Sequence, residues 1–278
     1  MSLSPLPPEA LSLAEARKAL AQGETTSRAL TEASLARIAA LNPKVSAYIS
    51  VLSDAALASA DAADAARARG EDLGLLAGIP VALKDNIDQA GAATTAHSRQ
   101  RIDHIADKDA HVTALLRKSG AILTGKLALH EFARGGPGDD HPWPDAKNPW
   151  DLGRTCGGSS SGSAVAVASG MVAMAVGTDT GGSVRYPAGC CNLVGIKPTY
   201  GLISRRGVVP LSFSLDNVGP ITRSVEDCAL SLAVMAGHDA QDPGSARAPS
   251  CASTGGWSRR ASGSARSSST SPSASSRR

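Results

Sequence analysis

Two stretches rich in glycine and serine contain the residues of this sequence that could carry out chemistry. They are residues 157–163 (GGSSSGS) and residues 177–183 (GTDTGGS). Glycine permits backbone conformations that other residues forbid, so the two glycines before Ser183 can aim consecutive main-chain N–H groups at one point. Such a group of donors stabilises a developing oxyanion. The second stretch therefore indicates acyl transfer, with a serine hydroxyl as the candidate nucleophile.

A serine hydroxyl is a weak nucleophile without a general base, and this sequence offers two kinds of base. Six histidines are present, none in or beside either stretch, although distant residues can meet in a fold. The alternative is Lys84, which follows an apolar run over 79–83. Burial disfavours the charged form of a lysine, and a neutral amine can accept a proton. Asp85 would oppose this if it lay close, because an anion keeps the amine protonated.

Two other motifs suggest different chemistry, and we interpret both as incidental. Residues 158–162 fit the G-x-S-x-G pattern of a nucleophile elbow centred on Ser160, but the preceding residues 151–156 make a poor strand. Residues 120–127 nearly spell a phosphate-binding loop, but Leu127 replaces its metal-binding hydroxyl residue. We expect Asp179 and Arg185 to brace the second stretch rather than to react.

The elements that must position these residues alternate between strands and helices. Apolar runs over 79–83, 121–124 and 171–176 predict strands, and helices are predicted over 108–118, 164–169 and from Ser224 to about Met235. The alternation implies an α/β fold with a mostly parallel sheet covered by helices on both faces.

Three helices are predicted before residue 70. A capping box of Ser12 and Glu15 opens the first, and Gly23 ends it. The second starts near Thr26 and stops before Asn42 and Pro43, and an alanine-rich third covers about 53–70. The inward residues predicted for the second helix are Leu30, Leu35, Ile38 and Leu41.

The sequence resembles the amidase signature family from about residue 10 to residue 240. The matching text includes GIPVALKDNID, TCGGSSSGSAVAVASG, VGTDTGGSVRYPAG and CNLVGIKPTYGLISRRGVVPLSFSLDNVGPITRSVEDCAL. The resemblance implies the amidase-signature fold, a mixed, largely parallel sheet with helices on both faces, incomplete here at the C-terminus. Family members are considerably longer, so we expect the chain to be poorly soluble or weakly active.

The resemblance also implies a Ser–cis-Ser–Lys triad that hydrolyses the C–N bond of a small-molecule carboxamide through an acyl-enzyme. By position, Lys84 is the base, Ser159 the bridging serine and Ser183 the nucleophile, and the interval of 24 residues between the serines agrees with the family pattern. The peptide bond before Ser159 is expected to be cis. The oxyanion hole is expected from main-chain N–H groups of Thr180, Gly181, Gly182 and Ser183. No cofactor and no metal are expected.

Two further functions remain open. One is the glutamine-hydrolysing A subunit of the aminoacyl-tRNA amidotransferase, although the stretch over 129–151 looks more like the free-standing amidases. The other is a non-catalytic remnant or binding module on the same fold. For an amidase, the expected partner is a second copy of the chain in a homodimer. For the amidotransferase A subunit, the expected partners are the other amidotransferase subunits.

Composition separates a body from a tail. The net charge of +3 comes from five arginines within 251–278, without which 23 basic residues face 25 acidic ones. A nearly neutral body does not suggest direct nucleic-acid binding. That tail also holds 11 serines and cannot bury enough surface to offset its ordering entropy. We therefore predict a domain over 1–240 and a disordered tail over 241–278, which is either an RNA-binding arm or a non-native end.

The remaining composition favours a cytoplasmic protein. The five cysteines have no metal-type spacing, which is typical of free thiols in a reducing compartment. No apolar run reaches the roughly 20 residues of a membrane span, and the first residues do not resemble a signal peptide.

Overall fold

Thirteen α-helices and β-strands lie in the part of the chain that the computed structural model describes, residues 10–138 and 140–247. Most of the predicted tail, residues 248–278, lies outside the described residues. In chain order the elements are α1 (Leu13–Gln22), α2 (Ser27–Val45), β1 (Tyr48–Val51), α3 (Ser53–Ala68), β2 (Pro80–Lys84), α4 (His111–Lys118), β3 (Ile122–Leu127), α5 (Ser161–Ala168), β4 (Met174–Asp179), α6 (Arg185–Cys190), β5 (Val194–Gly195), β6 (Asn217–Thr222) and α7 (Val225–Met235).

A six-stranded sheet in the order β1-β3-β2-β4-β6-β5 organises these elements. The central strand β2 is parallel to both β3 and β4. The flanking pairs β1–β3, β4–β6 and β5–β6 are antiparallel. The mixed sheet is thus confirmed, but within the described residues only the two central strand pairs are parallel, so the largely parallel character expected from the sequence is not found.

Helices pack on both faces of the sheet. Successive side chains of each central strand point to opposite faces, so each strand contributes to both packed layers. Val81 and Leu83 join one buried cluster with residues of α1, α4 and α7. Ala82, between them, joins a second cluster with residues of α2, α5 and α6. Met174 and Ala175 of β4 divide between the two clusters in the same way.

The second helix runs past the predicted stop, through Pro43 to Val45. Proline in the last turn removes one main-chain hydrogen bond, and local contacts outweigh that loss. The Asn42 side chain accepts the N–H of Tyr48 at 2.7 Å and donates to its carbonyl oxygen at 3.1 Å. Val45 is fully buried.

Strand β4 lies three residues further along the chain than predicted, at Met174–Asp179. Its end, Gly177-Thr178-Asp179, has little strand propensity. It is extended because it pairs residue by residue with β6, where Gly177 faces Gly219. Strands β1, β5 and β6 were absent from the prediction, and β6 contains Gly219 and Pro220, which weaken a strand signal.

Ser12 and Ser224 each cap the N-terminus of a helix, but only Ser12 forms a complete capping box. Ser12 and Glu15 bond to each other's main chain as expected. Ser224 accepts the N–H of Asp227 at 3.1 Å, whereas the Asp227 carboxylate accepts the N–H of Ala14 at 3.0 Å. Asp227 therefore joins α7 to the start of α1.

No helix in the described ranges is long and apolar enough to cross a membrane.

Candidate active site

Lys84 is the last residue of β2 and is fully buried. Its Nζ lies 2.7 Å from Ser159 Oγ and 2.8 Å from Thr178 Oγ1. Burial lowers the pKa of Lys84 to about 7, although the charges of Asp179 and Asp216 oppose this shift. A substantial fraction of this amine is therefore neutral near pH 7, as a general base requires.

Asp85 follows Lys84 in sequence but is held by other residues. Its carboxylate lies 3.0 Å from the Nζ of buried Lys126 and accepts hydrogen bonds from the main chain and hydroxyl of Thr95. The anion that could have kept Lys84 protonated is thus paired elsewhere.

The loop before α5 carries Ser159, and its Gly158–Ser159 peptide bond is cis, as expected. A Cβ on Gly158 would collide with the imidazole of His130, so glycine is required there. The main-chain N–H of His130 also donates to the Ser159 carbonyl oxygen at 3.1 Å. Burial lowers the pKa of His130, which favours the neutral ring. His130 thus supports the loop from behind.

Ser160 joins the two glycine- and serine-rich stretches. Its N–H donates to the carbonyl oxygen of Ser183 at 3.1 Å. Its hydroxyl bonds to the main-chain N–H and carbonyl oxygen of Thr178, both at 3.2 Å. Because the Ser160 hydroxyl is fully buried and used in this way, the geometry does not fit an elbow nucleophile. Ser183 itself is half-buried, on the loop between β4 and α6.

Asp179 organises the loop that contains Ser183. Its buried carboxylate accepts the N–H groups of Gly182 and Val184 at 2.7 and 3.2 Å, and the guanidinium of Arg185 at 2.9 and 3.1 Å. Burial raises the pKa of Asp179, but these hydrogen bonds and the charge of Arg185 outweigh it and hold the pKa below its usual value.

These contacts give Asp179 and Arg185 the bracing role expected from the sequence. They also occupy the N–H of Gly182 within the protein. We therefore do not count Gly182 among the oxyanion donors proposed below.

Three polar residues of this region were not singled out from the sequence. Thr178 contacts Lys84, and Asn86 Nδ2 donates to Thr178 Oγ1 at 3.1 Å. Asp216 accepts the hydroxyl of Thr180 at 2.5 Å and the N–H groups of Leu211 and Ser212. Asn86 lies only two residues after Lys84, and this short interval could have indicated from the sequence that Asn86 is near the site. Asp216 is separated from Thr180 by 36 residues, and only the β4–β6 pairing brings the two together.

Other candidate chemistry finds no support in the described residues. Residues 122–127, within the phosphate-loop-like segment, form strand β3, where Gly125 lies against the main chain of Ser50. Burial raises the pKa of the Cys156 thiol to about 12, so it is not a thiolate near neutral pH. Residues 10–138 and 140–247 contain no group of three or more residues that could hold a metal ion.

A family model described as Amidase matches residues 29–267 of this sequence. The chain belongs to the amidase family. Among similar proteins, the A subunit of the glutamyl-tRNA(Gln) amidotransferase of Moorella thermoacetica is 49% identical over 226 residues. That alignment covers 81% of this amidase-family chain and 46% of the relative.

Solved structures of the same family superpose well. The peptide amidase of Stenotrophomonas maltophilia gives a TM-score of 0.81 at 41% identity, over 86% of this chain and 50% of that one. The A subunit of the Thermotoga maritima glutamyl-tRNA(Gln) amidotransferase gives 0.75 at 38% identity, over 88% and 51%. This amidase-family chain therefore spans about half the length of the relatives it matches.

Proposed function

We propose that this chain contains the catalytic centre of a serine amidase, which hydrolyses carboxamide C–N bonds through an acyl-enzyme. The observation that carries the proposal is the buried Nζ of Lys84 at 2.7 Å from Ser159 Oγ. The main-chain hydrogen bond between Ser160 and Ser183 supports a position for Ser183 beside Lys84 and Ser159. Family membership supports the same chemistry.

In the proposed reaction, neutral Lys84 accepts the hydroxyl proton of Ser159 while Ser159 accepts that of Ser183. The Ser183 oxygen attacks the amide carbon, and the N–H groups of Thr180, Gly181 and Ser183 hold the oxyanion. The C–N bond then breaks, and the proton on Lys84 returns through Ser159 to the departing amine. Water releases the acyl group by the same relay in reverse. A pKa of about 7 suits Lys84 to both the basic and the acidic step.

Labelling by a fluorophosphonate, which reacts with activated serines, tests this proposal. We expect the wild-type chain to be labelled, and Ser183→Ala and Lys84→Met to lose the label. Ser214→Ala is the matched control, because Ser214 is exposed and should leave labelling unchanged. Absence of label on the folded wild type would favour a non-catalytic remnant. Label that persists in Ser183→Ala would assign the nucleophile to another serine.

A second function, glutamine hydrolysis as the A subunit of an amidotransferase, is favoured by one observation. The curated relatives include several glutamyl-tRNA(Gln) amidotransferase A subunits that are 44–49% identical. For this function, the chain should co-purify with a tRNA-binding partner protein, and it should release ammonia from glutamine faster than from simple amides. For a free-standing amidase, it should hydrolyse simple carboxamides without such a partner.

A further inference from the structure

A line of hydrogen-bonded side chains runs behind the proposed triad. Asn86 Nδ2 lies 3.1 Å from Thr178 Oγ1, which lies 2.8 Å from Lys84 Nζ, which in turn lies 2.7 Å from Ser159 Oγ. Asn86 and Thr178 are both buried, and the buried Oδ1 of Asn86 has no hydrogen-bond partner among the described residues. An amide buried with one half unpaired is costly, so Asn86 at this position reduces the stability of the fold.

The direction of each hydrogen bond in this line affects whether Lys84 can act as a base. A neutral amine has one lone pair, and that lone pair must face the hydroxyl proton of Ser159. If Thr178 donated its own proton to Nζ, it would occupy the same lone pair. The NH₂ group of Asn86 can only donate, so it fills one of the two acceptor sites of Thr178 Oγ1. The other site accepts an N–H of Lys84 at 2.8 Å, which leaves the lone pair of the amine for Ser159.

We propose that Asn86 is a positioning residue that acts through the Thr178 hydroxyl, orienting the Lys84 amine toward Ser159 while placing no charge beside it. This inference rests on the proposed function of the triad. Asn86 does not contact the reacting atoms in this arrangement.

The other charged groups that face Lys84 already have partners. Asp179, at the end of β4, is paired with Arg185, and Asp216, before β6, accepts hydrogen bonds from Thr180 and two main-chain N–H groups. Asp85, next in sequence, is paired with Lys126. His130 lies behind the Ser159 loop with a lowered pKa, because burial favours its neutral form. A carboxylate at position 86 would be a new anion facing Lys84 through Thr178 without such a partner.

The pKa of Lys84, measured by NMR on the full chain with ¹³C at the lysine Cε atoms, tests this arrangement without requiring catalysis. Lys84→Met assigns the signal. We expect a pKa of about 7 in the wild type. In Asn86→Asp we expect the pKa to rise by about 1 to 3, because an opposite charge a few ångströms away favours the ammonium form. Asn42→Asp is the matched control, because Asn42 bonds to Tyr48 at the end of α2, and there the pKa should not change. A folded Asn86→Asp variant with an unchanged Lys84 pKa would overturn the inference.

A double-mutant cycle tests the route through Thr178. Asn86→Ala and Thr178→Val should each slow fluorophosphonate labelling of Ser183 about tenfold, the effect of losing one hydrogen bond in a buried network. The double variant should be no slower than Thr178→Val alone. Independent, additive slowing would show that Asn86 does not act through Thr178. If the wild type is not labelled at all, the proposed function fails, and the NMR titration still decides the arrangement of Asn86.

Discussion

At the scale of single residues, the site depends on an amine that the fold keeps buried among hydroxyl and amide groups. Lys84 has two hydroxyl neighbours and no direct carboxylate partner among the contacts found in the described residues, whereas Lys126, also buried, is paired with Asp85. Both side chains come from the ends of neighbouring parallel strands. The two lysines therefore have different electrostatic environments. Burial lowers the pKa of both, but at Lys126 the paired carboxylate of Asp85 opposes the shift, whereas Lys84 bonds to two neutral hydroxyl groups.

Replacing Lys84 by methionine should stabilise the fold in a pH-dependent way. The unfolded lysine has a pKa near 10.5 and the folded one about 7, so between these values the unfolded state binds more protons. The free energy of unfolding of the wild type therefore rises with pH in this window, by up to about 1.3 kcal/mol per pH unit from this group. Lys84→Met lacks this contribution, so its advantage should be largest below pH 7 and disappear above pH 10.

Urea denaturation of both proteins across this pH range measures the difference. A constant difference from pH 6 to pH 10 would mean that the pKa of Lys84 is not lowered by folding.

At the scale of secondary-structure elements, two loops are held in place by groups that do not take part in the proposed reaction. The loop after β4 is braced by Asp179, and the loop before α5 lies against His130. The N–H of Ser160 forms a hydrogen bond to Ser183 and so connects the two loops. The positions of Ser159 and Ser183, the proposed catalytic serines, thus depend on main-chain contacts that the residue types alone do not reveal.

Asp179→Ala should destabilise the loop that carries Ser183. The substitution leaves the N–H groups of Gly182 and Val184 and the guanidinium of Arg185 without their acceptor. We expect a loss on the order of 3 kcal/mol in the free energy of unfolding, measured by urea denaturation. Arg185→Ala is the comparison, and because that side chain is half-exposed the loss should be about 1 kcal/mol or less. Equal losses in the two variants would contradict the proposed role of the N–H groups.

Two glycine substitutions should differ sharply in effect. Gly158→Ala forces a Cβ into the His130 ring, whereas a Cβ on Gly181 meets no atom within 4 Å. We expect Gly158→Ala to destabilise the protein by about 1–3 kcal/mol and Gly181→Ala by about 0.5 kcal/mol or less, measured by thermal or urea unfolding. Adding His130→Ala to Gly158→Ala should restore part of the loss. Absence of that rescue would mean that the collision is not the cause.

At the scale of the whole molecule, the chain presents apolar surface close to the site. Phe213 is 81% exposed and Leu215 is 57% exposed, in the segment that leads to Asp216. Large apolar side chains grouped on a surface favour association. Low solubility is therefore the behaviour that we expect of this chain.

Phe213→Ser with Leu215→Ser should raise the solubility of the purified chain several-fold. Because both side chains are largely exposed, the free energy of unfolding should change by about 0.5 kcal/mol or less. Ile105→Ser is the matched control, because Ile105 is 53% exposed in a different segment. Light scattering against concentration measures the effect. Equal improvement in the control would show that the segment around Phe213 has no special part in association.

The sequence alone predicted most helices and the central strands, because hydrophobic periodicity and helix caps are local signals, whereas the mixed sheet was implied by the family resemblance. It also placed Lys84 at the end of a buried strand, where its pKa would fall. The predicted roles of Ser159 and Ser183 came from the family resemblance and remain proposals. The weakest predictions concerned segments such as 177–179 and 217–222, whose glycine and proline give little strand signal.

Only the tertiary structure decided which groups surround Lys84. It paired Asp85 with Lys126, directed the N–H of Gly182 to Asp179, and brought Thr178 and Asn86 together behind the amine. The contacts of Asp85 with Lys126 and of Asn86 with Thr178 join the ends of different strands, and each depends on strand pairing and on which way a side chain points there. Such pairings are set by packing across the whole sheet, so no local pattern of residues contains them.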